Sequence, residues 1–447
     1  MELKRKVYAR LLEWKRTSNG STALFVDGAR RVGKSYVCKR FAENEYESHM
    51  IIDFGKLPAQ VRDIFENDSG DIDMLLLRLA AFYRANLVER KSLIVFDEVQ
   101  LYPKARQLIK YLVADGRYDY LETGSLVTLR RNAEDILIPS EEEHVDMFPL
   151  DFEEFLWALG DDATYPALRT FFEKRLPLGQ ALHRRIMNDF RLYLLVGGMP
   201  QVVEKYLETK DFEQADRAKR LILDLYRSDV TKFAKGYEAR ILSIFDGIPS
   251  QLSKKEKRYK LSSLRKAARF RDYEDAFVWL DESMVVNTCL NATDPTSFLA
   301  ASADSTTQKL YLGDTGLLVA LTLQDRAFAD SELYRDILLD KLQFNEGMLA
   351  ENVVAQMLRP NHPRLYFYSK SDTNNRKNMM EIDFLVSGIK KPFPIEVKSG
   401  RYRPHTSLDK FTARFGKRIE QPIILYTKDI MEADGILHLP LYMAGLL

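Results

Sequence analysis

The stretch that decides the fold is LFVDGARRVGKS, residues 24–35, in which an apolar run precedes Gly28, four residues, and then Gly33, Lys34 and Ser35. This order is the G-x-x-x-x-G-K-[ST] phosphate-binding loop, and it stands between a strand-like run and a helical pattern. The glycines let backbone N–H groups surround phosphate oxygens, and the following helix presents the positive end of its dipole to the anion. The stretch therefore predicts that the chain binds a nucleoside triphosphate.

The residue types of the loop predict a ligand and a metal. Lys34 is expected to reach the β- and γ-phosphates and to act in catalysis, and the hydroxyl of Ser35 is expected to bind Mg²⁺. The cofactors predicted are ATP and Mg²⁺. The predicted nucleotide-binding residues are Gly28, Ala29, Arg30, Arg31, Val32, Gly33, Lys34, Ser35 and Tyr36.

Two later groups of polar residues complete the predicted ATPase site. Asp97 and Glu98 directly follow a strand-like apolar run. An aspartate there can hold Mg²⁺ opposite the loop hydroxyl, and the next carboxylate can orient and deprotonate the attacking water. An acidic pair at a strand end is also a common solubilising cap, but the phosphate loop favours the catalytic interpretation. After another strand, Thr123 and Ser125 are equal candidates to sense the γ-phosphate, with a helix N-cap as the alternative.

Composition sets limits on the other functions. The chain has 447 residues, enough for about three domains, and 29% of them are charged. Its net charge of +1 gives no overall attraction to nucleic acid, so such binding would need a local patch. The basic stretch 254–271 is either a solvated helix face or such a contact.

Cys38 and Cys289 are too few for a disulfide framework. No apolar run approaches the roughly 18 residues of a membrane span, so the cytoplasm is predicted.

The pattern of elements changes along the chain. Alternating strands and helices over residues 1–130 predict a doubly wound, parallel α/β domain. Residues 151–235 are helical, and residues 240–330 have the helix–helix–hairpin order of a winged helix, with helices at 240–252 and 261–282. From about residue 340 the α/β pattern returns.

The carboxy-terminal part carries a second candidate site, formed by Glu351, Asp383, Glu396 and Lys398. In E-x-K on a strand, the period of two places both side chains on one face. Converging carboxylates would bind Mg²⁺, with Asp383 and Glu396 as ligands, and the lysine could activate water or neutralise charge on phosphorus. A metal-dependent nuclease site and a structural remnant are both open on this pattern.

The chain resembles a large bacterial and archaeal family of AAA-type ATP-binding proteins with a carboxy-terminal restriction-endonuclease-like domain. Several long motifs in the same order carry the resemblance over nearly the whole chain. They are GARRVGKS (28–35), LIVFDEVQ (93–100), YLETGS (120–125), MFPLDFEEFLWALG (147–160), YLLVGGMPQVV (193–203), KLYLGDTGLL (309–318), GMLAENVV (347–354), EIDFLV (381–386) and PIEVKSG (394–400).

The resemblance implies an α/β fold with four domains. They are an AAA-type P-loop ATPase core (1–150), a helical lid (151–238), a winged-helix domain (239–330) and a restriction-endonuclease-like domain (331–447). Lys34, Ser35, Asp97 and Glu98 fall on the ATPase positions. Glu351, Asp383, Glu396 and Lys398 fall on the PD-(D/E)XK nuclease positions.

Two functions are compatible with this organisation. The first is an ATPase that couples nucleotide binding and hydrolysis to the action of a nuclease-like domain on DNA or RNA. The second is an ATP-dependent signalling or scaffold switch whose carboxy-terminal domain only binds a protein partner.

Overall fold

The structure is a computed structural model that describes residues 2–124, 140–254, 257–265, 268–325, 331–338, 346–370, 379–400 and 405–447. Backbone contacts divide the chain into two compact units, Glu2–Phe148 and Pro149–Leu447, here called the amino-terminal and the carboxy-terminal unit. Among the described residues, none of the helices has both the length and the apolar character needed to cross a membrane.

The amino-terminal unit is built on a five-stranded sheet in the order β2-β3-β4-β1-β5, and every neighbouring pair is parallel. The predicted parallel α/β fold is therefore confirmed. The central strands β1 and β3 are buried along almost their whole length, as expected of strands covered by helices on both faces. The strands are β1 (Ala23–Asp27), β2 (Ser48–Asp53), β3 (Ser92–Asp97), β4 (Asp119–Gly124) and β5 (Glu142–Asp146).

Helices with apolar stripes cover this sheet. An aromatic cluster of Phe54, Phe65, Phe96 and Tyr102 lies in the core that the sheet shares with them. The helices of the unit are α1 (Val7–Ser18), α2 (Lys34–Glu45), α3 (Ala59–Asp68), α4 (Ile72–Tyr83) and α5 (Pro103–Asp115).

The carboxy-terminal unit begins with a group of helices, in agreement with the loss of strand signal after residue 150. Asp151 opens the first of them with a capping box, in which its side chain accepts a bond from the N–H of Glu154 and the Glu154 side chain accepts one from the N–H of Asp151. These helices are α6 (Phe152–Ala158), α7 (Thr164–Lys174), α8 (Gln180–Val196), α9 (Pro200–Thr209) and α10 (Phe212–Phe233).

An eight-stranded mixed sheet forms the rest of this unit, in the order β12-β13-β11-β10-β9-β8-β6-β7. Its strands are β6 (Val286–Ala292), β7 (Ala303–Leu312), β8 (Leu365–Lys370), β9 (Met380–Val386), β10 (Phe393–Val397), β11 (Ile423–Tyr426), β12 (Met431–Ala433) and β13 (Ile436–Pro440). The remaining helices are α11 (Glu238–Leu252), α12 (Glu274–Glu282), α13 (Thr315–Thr322), α14 (Ser331–Leu338), α15 (Glu346–Leu358) and α16 (Thr406–Phe415).

The region predicted as a winged helix is continuous with this sheet. Strands β6 and β7 pair antiparallel as the predicted hairpin, but β6 also pairs in parallel with β8. The predicted boundary between residues 330 and 331 thus falls between strands of one sheet, and the winged-helix fold stays a prediction. The predicted helix over 261–282 is wrong for its first half: the described residues there contain only 3-10 turns before α12 begins at Glu274.

Candidate functional site

The phosphate loop joins β1 to α2 by a turn that depends on its glycines. Gly33 precedes the helix with φ 98°, a left-handed conformation that favours glycine. A Cβ on Gly28 would lie 2.3 Å from the backbone oxygen of Met147, so a larger residue would collide with the chain after β5. Val32 is buried, and Arg30, Arg31 and Tyr36 are exposed around the loop.

Lys34 lies under the loop rather than in solvent. Its ammonium donates to the backbone oxygens of Gly28 at 2.6 Å and Ala29 at 3.2 Å. Burial lowers the pKa of Lys34, and the nearby carboxylates of Glu98, Asp27 and Asp97 oppose the fall. The side chain is therefore held at the loop by contacts that phosphate oxygens could replace.

The carboxylate of Asp97 accepts hydrogen bonds from two hydroxyl groups. Its Oδ1 accepts hydrogen bonds from Ser35 Oγ at 2.8 Å and from Thr123 Oγ1 at 2.5 Å. Burial raises the pKa of Asp97, and the two hydroxyl bonds oppose the rise. The structure thus brings together the predicted metal ligands and one sensor candidate, whereas Ser125 lies outside the described residues. Hydroxyl and carboxylate oxygens are the donors that Mg²⁺ prefers, so this set fits the predicted metal.

Glu98 is held by two further contacts. Its backbone N–H donates to Thr123 Oγ1 at 3.0 Å, and its carboxylate accepts from Gln100 Nε2 at 2.5 Å. Sequence reasoning missed Gln100, although the alternation in DEVQ places a second polar side chain close to the acidic pair. It also missed Arg5, which donates to the backbone oxygens of Val32 and Phe148 and so links the loop to the end of the unit. No local pattern indicates a contact between residues so far apart.

The fold and these contacts define a P-loop nucleotide-binding domain: a phosphate loop after β1, an acidic pair at the end of β3, and a hydroxyl at the end of β4 between them. Residues 20–156, a stretch that includes most of the amino-terminal unit, match the family model of the AAA domain. Residues 187–327 and 346–442 match two models described as domains of unknown function, DUF8612 and DUF4143. No curated protein is significantly similar to the chain.

Solved structures that match the chain include an ATPase and two ORC proteins. The Walker-type ATPase of Pyrococcus abyssi is 14% identical, with 72% of this chain and 96% of that chain covered and a TM-score of 0.44. The Aeropyrum pernix ORC1 protein in complex with DNA is 15% identical, covers 73% of this chain and 94% of its own, and has a TM-score of 0.25. Drosophila ORC bound to DNA is 13% identical, with 71% and 94% covered and a TM-score of 0.27.

The residues of the second predicted site lie in one region of the carboxy-terminal unit, together with Glu381, which was not predicted. Glu351 on α15, Glu381 and Asp383 on β9, and Glu396 on β10 form what we call the carboxylate cluster. Lys398 binds Glu396 at 2.6 Å, and Asp383 Oδ2 accepts from the N–H of Val397 at 2.9 Å. Among the described residues, no group of three or more His, Cys, Asp or Glu side chains is arranged to hold a metal ion. The nuclease site therefore stays a prediction.

Lysines that sequence reasoning did not assign to the site neutralise the cluster. Lys309 on β7 lies 2.8 Å from Glu381, 3.6 Å from Asp383 and 3.9 Å from Glu351. Lys257 pairs with Glu351 as well. The sequence QKLYLGD indicates that Lys309 has a buried partner, because a single charged residue in an apolar strand is rarely buried alone, but it does not indicate which partner.

The electrostatics of the cluster follow from burial. Burial raises the pKa of Glu396 to about 8, with Asp383 adding to the rise and Lys398 opposing it. Burial also raises the pKa of Glu351, with Asp383 adding to the rise and Lys257 opposing it. Burial alone would lower the pKa of Lys309, but the surrounding carboxylates raise it above its ordinary value. Lys309 is therefore charged at neutral pH.

Proposed function

We propose that this protein binds ATP with Mg²⁺ and hydrolyses it to ADP and phosphate. The observation that supports this most strongly is the sharing of Asp97 Oδ1 by Ser35 of the phosphate loop and Thr123 of β4. Hydrogen bonds thus connect the loop hydroxyl, the acidic pair and a hydroxyl at the end of the neighbouring strand. A glycine turn that bound no nucleotide would not need this connection.

Each residue of the site has a role in the proposed reaction. Lys34 binds the β- and γ-phosphates, and Ser35 with Asp97 would hold Mg²⁺, which offsets phosphate charge when bound. Glu98 orients the attacking water and accepts its proton. Thr123 or Ser125 senses the γ-phosphate, and the hydrogen bond from Thr123 Oγ1 to Asp97 supports Thr123.

The test of this proposal is ATP binding by Lys34→Ala, measured by calorimetry. The substitution removes the charge that offsets the phosphates, so tight binding should be lost. Lys39→Ala is the matched control, because Lys39 lies on the same helix and approaches Glu43 at the surface, at 3.8 Å. A folded Lys34→Ala protein with unchanged ATP affinity would overturn the proposal.

For the carboxy-terminal unit, we propose that nucleotide state governs the engagement of a partner. Engagement of the partner takes one of two forms. The unit either cleaves DNA or RNA or only binds its partner. In the first case the nuclease site consists of Glu351, Asp383, Glu396 and Lys398. The ammonium of Lys309 among the carboxylates favours binding alone, because it already neutralises the groups that a metal would need.

A cleavage assay separates these two forms. Several DNA and RNA substrates are incubated with Mg²⁺ or Mn²⁺, with and without ATP, using the wild-type protein and Asp383→Ala. Cleavage that disappears in Asp383→Ala, with ATP hydrolysis retained, would support the nuclease. Absence of cleavage with every substrate would support a unit that only binds.

A further inference from the structure

The side chain of Lys309 reaches the carboxylate cluster from a strand outside the predicted nuclease residues. Lys309 lies on β7, at the edge of the eight-stranded sheet, and its side chain is completely buried. Its ammonium lies within 4 Å of carboxylates on α15 and β9, and 5.0 Å from the ring centre of Phe367 on β8. A single positive charge thus faces carboxylates from two elements and an aromatic ring from a third.

A second observation concerns a carboxylate oxygen of the cluster that Lys309 does not reach. Glu396 is only 8% exposed, and its Oε2 has no hydrogen-bond partner among the described residues, while its Oε1 accepts from Lys398. Buried carboxylate oxygens are normally paired, so this unused oxygen is a ligand that the cluster could offer to a metal ion only if the ammonium of Lys309 were removed.

We propose that the ammonium of Lys309 fills the cation position of the carboxylate cluster, so that the wild-type protein binds no Mg²⁺ or Mn²⁺ there. A divalent ion such as Mg²⁺ would need Glu351, Asp383 and Glu396 to converge at metal–oxygen distances of roughly 2.0–2.1 Å. The buried ammonium already lies between two of these groups, and its charge would repel a second cation with little screening by water.

Replacement of Lys309 by an uncharged residue should change the metal affinity of the carboxylate cluster. Methionine has a similar length and no charge, so Lys309→Met leaves Glu351, Glu381 and Asp383 without the ammonium that they share. Buried carboxylates without a counter-charge are costly, and a divalent cation can supply the missing charge. Lys309→Met should therefore gain a Mn²⁺ site that the wild-type protein lacks.

The experiment measures Mn²⁺ binding by electron paramagnetic resonance in the full chain without nucleotide. Wild type and Asp383→Asn should bind Mn²⁺ equally, because the cluster takes no metal in either. Lys309→Met should bind additional Mn²⁺, and the double variant Lys309→Met/Asp383→Asn should lose it. Lys219→Met is the matched control, because Lys219 is another fully buried lysine of the same unit, bonded to Leu195 O and Tyr334 Oη.

Two results would overturn the proposal. The first is Mn²⁺ binding by the wild type that Asp383→Asn abolishes, because the cluster would then hold metal despite Lys309. The second is a folded Lys309→Met protein that gains no Mn²⁺ over Lys219→Met. If Lys309→Met fails to fold, the comparison of wild type with Asp383→Asn still decides. None of these results depends on ATP hydrolysis, so the ATPase proposal is tested separately.

Discussion

The backbone conformation and the side-chain position of Glu98 are both fixed by neighbouring residues. Its φ of 57° lies in the left-handed region, which costs a non-glycine residue roughly 1–3 kcal/mol and persists only where other contacts impose it. Here Thr123 fixes the backbone N–H and Gln100 fixes the carboxylate. The chain therefore holds this side chain at the end of β3 by geometry, in the position expected of a general base.

The first prediction concerns this carboxylate. Glu98→Gln should retain ATP affinity, because the amide has the same shape, and should lose hydrolysis by roughly 10²–10⁴-fold, because it cannot accept a proton. Calorimetry and phosphate release measure the two effects. Glu43→Gln, on the outer surface of α2, serves as the control and should hydrolyse ATP normally. Hydrolysis by Glu98→Gln near the wild-type rate would assign the base to another residue.

Glu122, which directly precedes Thr123, is a residue whose pKa is shifted mainly by burial. It is fully buried on β4 beside Glu142, and Arg106 binds Glu142 at 2.5 Å. Burial raises the pKa of Glu122 well above its ordinary value of 4.5, Glu142 adds to the rise, and Arg106 opposes it. Burial and the neighbouring Glu142 thus both favour the protonated form of Glu122.

The second prediction follows from the sign of this shift. The folded protein keeps a proton on Glu122 that the unfolded chain releases above pH 4.5, so this residue's contribution to stability falls as the pH rises from there towards the raised pKa. Glu122→Gln cannot ionise, so its stability relative to wild type should increase as the pH rises above 4.5. Urea unfolding at several pH values measures the difference, and a difference that stayed constant would show that Glu122 ionises normally.

Among the elements, two strands that carry the candidate ATP site were predicted and one helix was predicted wrongly. Continuous apolar runs predicted β1 and β3, which lead into the phosphate loop and the acidic pair. The first half of 261–282 does not form a helix in the described residues, because side-chain bonds compete with helical ones. Ser263 Oγ accepts from Gln251 Nε2 on α11 at 2.5 Å and donates to the backbone oxygen of Lys260.

The third prediction concerns the basic stretch 254–271. Lys257 is engaged by Glu351, whereas the side chain of Arg265 is exposed and Lys266 lies outside the described residues. If the stretch binds DNA, affinity should fall steeply with salt, and charge reversal at Arg265 and Lys266 should weaken binding and lower the salt slope by about 1 for each phosphate that is no longer neutralised. Reversal at the exposed Lys417 is the control. Unchanged binding, or none at low salt, would make the stretch a solvated surface.

The candidate sites could be predicted from sequence only in part. The phosphate loop and acidic pair are short motifs whose spacing carries their chemistry, so Lys34, Ser35 and Asp97 could be located together. Lys309 could not be assigned to the carboxylates, because nothing in a single sequence shows that β7 joins the sheet of β9 through β6 and β8.

In the molecule as a whole, Asp314 connects regions that were predicted as separate domains. It is almost fully buried and accepts bonds from the N–H of Gly198 at 2.5 Å and of Leu317 at 2.9 Å. Gln356 on α15 approaches the same carboxylate and donates to Tyr193 Oη on α8. The helical, hairpin and carboxy-terminal regions therefore share one buried polar network within the carboxy-terminal unit.

The fourth prediction is that these regions lose stability together. Asp314→Ala removes the acceptor of two buried N–H groups and should destabilise the unit by about 3 kcal/mol. Denaturant unfolding should show one shifted transition for the unit, rather than early unfolding of a single region. Asp294→Ala, which breaks an exposed pair with Arg418, should change stability by less than about 0.5 kcal/mol. Early unfolding of one region alone would separate the predicted domains.

The position of Lys309 also restricts how this chain can recombine with its relatives. The lysine belongs to the stretch 187–327, and its carboxylates belong to the stretch 346–442, which two different family models describe. Replacement of 346–442 by a stretch without these acids would leave the ammonium of Lys309 in the interior without its counter-charges. The two stretches are therefore matched through this buried ion pair, and a chimera that exchanges one of them needs compatible charges on both sides.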